Sequence, residues 1–215
     1  MKALLWLIVF LIPLILLLSN LKVMVFEQDF HQTLFSKYNV YADIPEADEI
    51  DRQLVDYFAD RRESIAVDRF NEREIDHLRD VREVLHWLFL TLNILVIVFL
   101  LLVIIIYFVD KKGFMQNVSW LLISGGSITI GLLVLLWFFS IFNFDALFSA
   151  MHATFFRQGT WIFDANDALV RIYQEGFFQD MLIRIAVNTV LWAAVILLIG
   201  LAMKKYIKSQ NKDTA

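Results

Sequence analysis

Four long apolar runs constrain this chain more than any other feature of its sequence. They cover about residues 3–26, 87–109, 118–142 and 185–203, and the second and third contain no charged side chain. About 20 consecutive apolar residues are enough for a helix to cross the hydrocarbon core of a bilayer. The four runs therefore predict four transmembrane helices.

The rest of the chain leaves only two sizeable polar segments, residues 27–86 and 143–184. With 59% hydrophobic residues, the chain is more apolar than an ordinary soluble domain, which is closer to half apolar. We predict an all-α membrane protein, a single membrane domain over residues 1–215. It has four transmembrane helices and an extracytoplasmic helical cap formed by the two polar segments.

The positions of the lysines predict the orientation in the membrane. They flank the runs at alternate ends, at Lys2, Lys111, Lys112, Lys204, Lys205, Lys208 and Lys212. Because cytoplasmic loops carry an excess of Lys and Arg, both termini and the 110–116 loop are expected in the cytoplasm. Residues 27–86 and 143–184 then face outward.

The first run has the charged start and apolar centre of a signal peptide. No small-x-small cleavage site follows it, and its apolar stretch is longer than a usual signal-peptide core. We expect an uncleaved anchor, kinked at Pro13, which neighbouring helices can tolerate.

Composition excludes several classes of function. The acidic first polar segment largely explains a pI near 5.5, and no basic stripe indicates a nucleic-acid surface. The absence of Cys excludes a thiol nucleophile and a thiolate metal site. No G-x-S-x-G motif is present either, which argues against a serine hydrolase.

Both polar segments are expected to contain helices. Residues 47–57 have apolar residues at helical spacing, and Asn71 is a suitable N-cap for a helix that continues into the second run. The second segment is strongly aromatic, which is typical of chain at the membrane interface. It predicts a helix over residues 145–156, a break at Gly159, and a helix from Asp164 or Asn166 to about Tyr173.

Histidine is the first candidate for acid–base chemistry, because its side chain titrates near neutral pH. On a helix, His77 shares a face with Arg73, Glu74 and Asp80. The acids would orient the ring and favour its charged form, although a solvated helix face with incidental charge pairs is the more common explanation of such a pattern in a membrane protein.

His152 differs because it lies in an apolar stretch, where a polar ring costs free energy unless it finds a partner. It is either hydrogen-bonded within the helix bundle or an active-site base directed at a substrate at the membrane surface. We interpret His31 as structural and His86, beside Trp87, as an interfacial anchor. Zinc ligation by His77, Asp80 and His152 is conceivable, but the H-E-x-x-H motif is absent.

Two sequence blocks carry a resemblance to a known family. The chain resembles the bacterial integral-membrane family that contains lipoprotein intramolecular transacylase, called Lit. The first block is R-E-x-x-H-L-x-D-V, and the second is H-x-x-F-F-x-x-G-x-W-x-F. In this chain they comprise Arg73, Glu74, His77, Leu78, Asp80 and Val81, and then His152, Phe155, Phe156, Gly159, Trp161 and Phe163.

The resemblance implies the reaction and the residues that perform it. The family's enzymes are expected to move the sn-2 acyl chain of a diacylglyceryl lipoprotein to its N-terminal cysteine amine, giving the lyso form. The two catalytic histidines of the family fall on His77 and His152, and no metal or other cofactor is implied. Supporting or substrate-binding roles fall on Arg73, Glu74, Asp80, Phe155, Phe156 and Trp161.

The surroundings of the two histidines suggest a division of roles. His152 is expected to be the base, because an apolar setting favours the neutral ring. His77 is expected to stabilise the oxyanion and the leaving oxygen as a charged ring. Two rival hypotheses are a non-catalytic membrane protein that binds lipid or a partner through its aromatic segment, and a metal-dependent membrane hydrolase.

Overall fold

The structure, a computed structural model, describes residues 1–142, 144–156 and 159–213. Within these residues it contains nine helices and no strand, which confirms the predicted all-helical class. Asn143, the first residue of the predicted second polar segment, lies outside the described residues. The helices are α1 (Lys2–Phe26), α2 (Gln28–Lys37), α3 (Val40–Asp43), α4 (Ala47–Phe58), α5 (Glu72–Val109), α6 (Phe114–Phe142), α7 (Phe144–Phe155), α8 (Ala168–Ile172) and α9 (Glu175–Asp213).

Four of the described helices, α1, α5, α6 and α9, are long and apolar enough to cross a membrane, as predicted. Helix α5 is a single element of 38 residues, which confirms that the helix beginning after Asn71 continues into the second apolar run. Helix α9 begins at Glu175, well before the apolar run that starts near residue 185.

The chain divides into two compact units. The first, which we call the apolar unit, comprises Met1–Asn20, Leu90–Phe139 and Ile185–Ala215. Its helices approach closely at glycines, because a Cβ atom added to Gly126 would lie 2.7 Å from the Ala193 carbonyl oxygen. The Ser119 hydroxyl donates to the Gly200 carbonyl at 2.8 Å, so this polar side chain is satisfied inside an apolar segment.

The second unit, which we call the site unit, comprises Leu21–Phe89 and Ser140–Arg184. Helix α4 buries Ile50, Leu54 and Tyr57, so the predicted helix over residues 47–57 is confirmed. These side chains are spaced three or four residues apart, which places them on one face of the helix. Ile50 and Leu54 pack in a core that also includes Phe35 and Ile172.

One predicted helix start is wrong. Helix α8 begins at Ala168 with Asp167 at the N-cap position, and neither Asp164 nor Asn166 is the cap. The Asp167 carboxylate accepts a hydrogen bond from the Asp164 backbone N–H at 2.8 Å, which closes a turn before the helix. Residues 164–167 form this turn, although the sequence pattern assigned them to the start of the helix.

His31 forms a buried polar cluster that its own helix does not reveal. Its Nδ1 atom lies 3.0 Å from a carboxylate oxygen of Asp51, and its Nε2 atom lies 2.9 Å from the Met24 carbonyl oxygen. The Tyr173 hydroxyl donates to the same carboxylate at 2.8 Å. The cluster therefore joins α1, α2 and α4 to the chain after α8, in agreement with a structural role for His31.

Candidate active site

The start of α5 is fixed by a reciprocal capping interaction. The Asn71 side chain accepts a hydrogen bond from the Glu74 backbone N–H at 3.1 Å, and the Glu74 carboxylate accepts one from the Asn71 backbone N–H at 2.8 Å. This is the capping-box arrangement, which satisfies two backbone donors that a helix start otherwise leaves open. It sets the direction of the helix that carries His77.

Glu74 also holds a second part of the chain. Its other carboxylate oxygen accepts a hydrogen bond from the Leu169 N–H at 2.7 Å, at the start of α8. Nearby, Arg73 donates a hydrogen bond to the Ile162 carbonyl, and its guanidinium lies 5.8 Å from the centre of the Phe163 ring. The segment between α7 and α8 is therefore tied to the first turn of α5.

These ties bring the two predicted catalytic histidines together. The His77 and His152 rings are stacked at 24°, with their centres 6.2 Å apart, although 75 positions separate the residues in the chain. Their exposed fractions are 7% for His77 and 8% for His152. Two titratable rings this close and this well shielded from water form a candidate site for acid–base chemistry.

Aromatic side chains surround the histidine pair. The Phe156 ring centre lies 4.8 Å from that of His77 and 5.4 Å from that of His152. Phe163 packs against His77 at 5.4 Å, and Trp161 packs against His152 at 4.9 Å. The surroundings of the imidazoles are thus largely apolar, and few water molecules can hydrogen-bond to the rings.

The hydrogen bonding of His152 defines its free nitrogen. Its Nδ1 atom lies 2.9 Å from the Phe148 carbonyl oxygen, so Nδ1 carries the proton and donates it to that carbonyl. In a neutral ring, Nε2 then has an unused lone pair. Burial lowers the pKa of His152, and the bond to Phe148 opposes this shift. The expectation that the setting of His152 favours its neutral form is confirmed.

The prediction that neighbouring acids keep His77 charged is wrong. His77 lies in the charged start of α5, before the apolar stretch that begins at Trp87, and burial together with His152 lowers its pKa to about 4. The Glu74 carboxylate accepts hydrogen bonds from two backbone donors, and the Asp80 carboxylate forms no hydrogen bond or ion pair with any described residue. Desolvation therefore outweighs the acids that share the helix face.

Two fully buried polar atoms of the site lack a partner among the described residues. They are Nδ1 of His77 and Nε1 of Trp161. Buried polar atoms in folded proteins are normally hydrogen-bonded, and exceptions require a functional or structural reason. One of the two atoms belongs to the histidine pair, and the other belongs to an indole that packs against His152.

Phe155, a predicted site residue, and His86, interpreted as an interfacial anchor, both lie apart from the histidine pair. Phe155 is 49% exposed and makes no ring contact with either histidine, whereas the adjacent Phe156 packs against both. His86 lies on the surface, with its Nε2 atom 2.6 Å from a carboxylate oxygen of Asp60. Among the described residues, no group of three His, Asp or Glu side chains could hold a metal ion.

Sequence reasoning did not identify Phe148 as a site residue. Its backbone carbonyl fixes the tautomer of His152, and its ring centre lies 4.0 Å from the imidazole. The only available signal was its position four residues before His152 on a predicted helix, where carbonyl and side chain can meet. Leu169, which donates its backbone N–H to Glu74, carried no signal at all.

These features define a class of protein: a multi-pass, all-helical membrane protein with a buried, uncharged histidine pair enclosed by aromatic side chains. Residues 6–178 match the family described as "Lipoprotein intramolecular transacylase Lit". The match covers most of the chain, and the chain therefore belongs to this family.

Comparison with known proteins agrees with this assignment at the level of the fold. The structure is similar to that of the lipoprotein intramolecular transacylase Lit from Bacillus cereus, with a TM-score of 0.81, 15% identity, and 97% of each chain covered. A histidine-to-alanine variant of that protein matches with a TM-score of 0.79, 14% identity, and 97% and 95% of the two chains covered. A protein from Aquifex aeolicus (strain VF5), described as uncharacterized, is 27% identical over 142 residues. That alignment covers 66% of this chain and 61% of the length of the relative.

Proposed function

We propose that this protein catalyses intramolecular acyl transfer within a membrane-anchored lipoprotein. The sn-2 acyl chain of the diacylglyceryl group moves from the glycerol oxygen to the α-amine of the N-terminal cysteine, which gives the lyso form. The observation that carries the proposal is the buried pair of His77 and His152, in which Nε2 of His152 has no described partner.

The first step requires a base. Near neutral pH an α-amine, with a pKa of about 8, is mostly protonated and not nucleophilic. In its neutral form the amine nitrogen attacks the ester carbonyl carbon, a C–N bond forms, and the carbonyl π electrons move to oxygen. Nε2 of His152 takes a proton from the nitrogen as this bond forms. Burial of His152 among aromatic rings supports this role, because a base must be unprotonated to act.

The second step releases the glycerol. The electron pair on the oxyanion restores the carbonyl, the bond from the carbonyl carbon to the glycerol oxygen breaks, and that oxygen takes the proton from Nε2 of His152. His77 contributes a neutral N–H hydrogen bond to the leaving oxygen. The products are an amide and a free hydroxyl group, so the lipoprotein is isomerised and neither water nor nucleotide is consumed.

Proximity and exclusion of water supply the rest of the rate. The amine and the ester belong to one molecule, and well-oriented intramolecular pairs reach effective molarities on the order of 10⁵ M or more. Phe156, Phe163 and Trp161 surround the imidazoles and restrict the access of water, which would otherwise hydrolyse the ester. We place the site at the outer face of the membrane, because the lysine pattern predicts cytoplasmic termini.

The test is mass spectrometry of the N-terminal peptide of a model lipoprotein, in a bacterium that otherwise leaves the amine free, with and without this protein. The expected product has one acyl chain on nitrogen and one on glycerol. His152→Gln and His77→Gln should each lower its yield by about 100-fold or more. His86→Gln is the matched control, because His86 is an exposed histidine on the same helix as His77.

An unchanged diacyl peptide, with the wild-type protein present in the membrane, would refute the proposal. That outcome would favour a protein that binds lipid or a partner through its aromatic segment. In that case Trp161 and Phe156 substitutions would weaken binding and the histidine variants would not.

A further inference from the structure

The indole N–H of Trp161 is a hydrogen-bond donor without an acceptor among the described residues. Its Nε1 atom is fully buried and unpaired. An indole nitrogen can only donate, so no change of tautomer or protonation relieves the mismatch. A buried donor without an acceptor loses its hydrogen bond to water and forms no other, which costs free energy. A ligand that carries an acceptor atom would remove this penalty.

The position of Trp161 indicates which acceptor that is. Its ring centre lies 4.9 Å from that of His152, and no hydrogen bond joins the two side chains. If Nε2 of His152 takes the proton from the attacking amine, the reacting carbonyl lies next to the same imidazole. The Trp161 ring therefore lies beside the imidazole next to which the carbonyl would react, and its N–H is an unpaired donor.

Hydrogen bonds join the segment that follows Trp161 to the start of α5. Gly159, two residues earlier, has a positive φ of 88°, a conformation that glycine adopts without steric cost. One residue later, the Ile162 carbonyl accepts a hydrogen bond from Arg73. Further along, the Asn71 side-chain amide donates to the Asp167 carboxylate at 3.0 Å. A stabilising dipole is effective when it is oriented before the reaction begins.

We propose that the Trp161 indole N–H donates a hydrogen bond to the carbonyl oxygen of the transferred acyl group and stabilises the oxyanion that forms there. This inference rests on the acyl transfer proposed above and adds a residue to it. The C–N and C–O bond changes and the transfer of one proton through His152 stay as written, and Trp161 neither gives nor takes a proton.

The alternative is that Trp161 serves only as a wall of the site, through its ring. Two substitutions separate the alternatives. Trp161→Phe keeps an aromatic ring and removes the N–H group. Replacement of Trp161 by 3-benzothienylalanine keeps the size and shape of the indole and exchanges only the N–H for sulfur. If Trp161→Phe unfolds, the benzothienyl variant still tests the donor, and thermal unfolding in detergent confirms that it is folded.

The assay measures initial rates on a synthetic diacylglyceryl lipopeptide in detergent micelles. For both variants we expect kcat to fall by about 100-fold, the size of effect seen on loss of one oxyanion donor. KM should change by less than about 3-fold, because the hydrogen bond strengthens in the transition state. Trp87→Phe is the matched control, since Trp87 is an exposed indole on α5 and should keep the wild-type rate.

A benzothienyl variant that keeps kcat within about 3-fold of the wild type would overturn the donor assignment and leave the acyl transfer itself intact. A rise in KM at constant kcat would also overturn it, because it would show uniform binding through the ring. If the wild-type protein produces no lyso lipopeptide, the proposed reaction is refuted and the donor assignment is refuted with it.

Discussion

Glu74 offers a sharp test of how the site is assembled, because one carboxylate connects two helix starts. The side chain is fully buried, with an exposed fraction of 0%. One oxygen accepts the Asn71 N–H and the other accepts the Leu169 N–H. Glu74→Gln preserves the shape of the side chain but provides only one acceptor oxygen. The amide NH₂ group must then face one of the two backbone donors.

The magnitude follows from these two bonds. Hydrogen bonds to a charged acceptor contribute about 1.5–3 kcal/mol each, and a buried donor left without a partner costs a similar amount. In Glu74→Gln one of the two hydrogen bonds remains, and at the other position the amide NH₂ group faces a backbone N–H, so that two donors meet. We therefore expect the free energy of unfolding to fall by about 2–3 kcal/mol. For a chain of this size that loss lowers the thermal midpoint by about 4–12 °C.

The assay is thermal unfolding of the purified protein in detergent, followed by tryptophan fluorescence. Glu72→Gln is the control, because Glu72 is an exposed acid in the same first turn of α5 and should change stability by about 0.5 kcal/mol or less. Equal midpoints for Glu74→Gln and Glu72→Gln would refute the reasoning. That result would mean that the carboxylate does not support the two helix starts.

Three further predictions concern the titratable groups. The pH profile of kcat/KM should rise to a plateau with one inflection near the pKa of the substrate amine, about 8, and should lack an inflection at pH 6.5, because burial lowers the pKa of both histidines below that value. A second inflection near pH 6.5 would contradict the lowered pKa values. Stability should decrease as the pH falls from about 6.5 to about 4, since the unfolded chain binds a proton at His77 that the folded protein does not. The full loss of unfolding free energy is about 3 kcal/mol, and it is absent above this pH range. The difference between the thermal midpoints at pH 7 and pH 5 should therefore be smaller in His77→Gln than in the wild type. Asp51→Asn should destabilise the protein by about 1–3 kcal/mol, because it replaces one of the two carboxylate oxygens that lie within hydrogen-bond distance of His31 with an NH₂ group, and an unchanged midpoint would show that the pair is dispensable.

The proposed reaction uses His77 and His152 in their neutral forms. Part of the predicted division of roles relied on a protonated His77, and the lowered pKa of this residue removes that basis. The proposed base, His152, must be neutral to accept a proton, and a protonated ring would be inactive. Stabilisation of the oxyanion then falls to a neutral donor, and Trp161 has the unpaired N–H that this role requires.

The sequence by itself determined the all-helical membrane class of the protein, and its resemblance to a known family singled out His77 and His152 as candidate catalytic residues. Length and apolarity alone predicted the four long helices, and the Asn71 cap predicted where α5 begins. These features are local: a helix long enough to cross a bilayer must satisfy its own backbone hydrogen bonds, and a cap needs a partner only three residues away. Local rules can be read without knowledge of the fold.

The tertiary structure alone decided the pairing and the charge of the site residues. It places His77 and His152 with ring centres 6.2 Å apart, directs Glu74 to Leu169 and away from His77, and pairs His31 with Asp51. Helical spacing correctly placed the acids on the face of His77 but gave the wrong charge. The charge of a side chain depends on how much water surrounds it and on which partners the rest of the chain supplies, and both are fixed only when distant segments pack together.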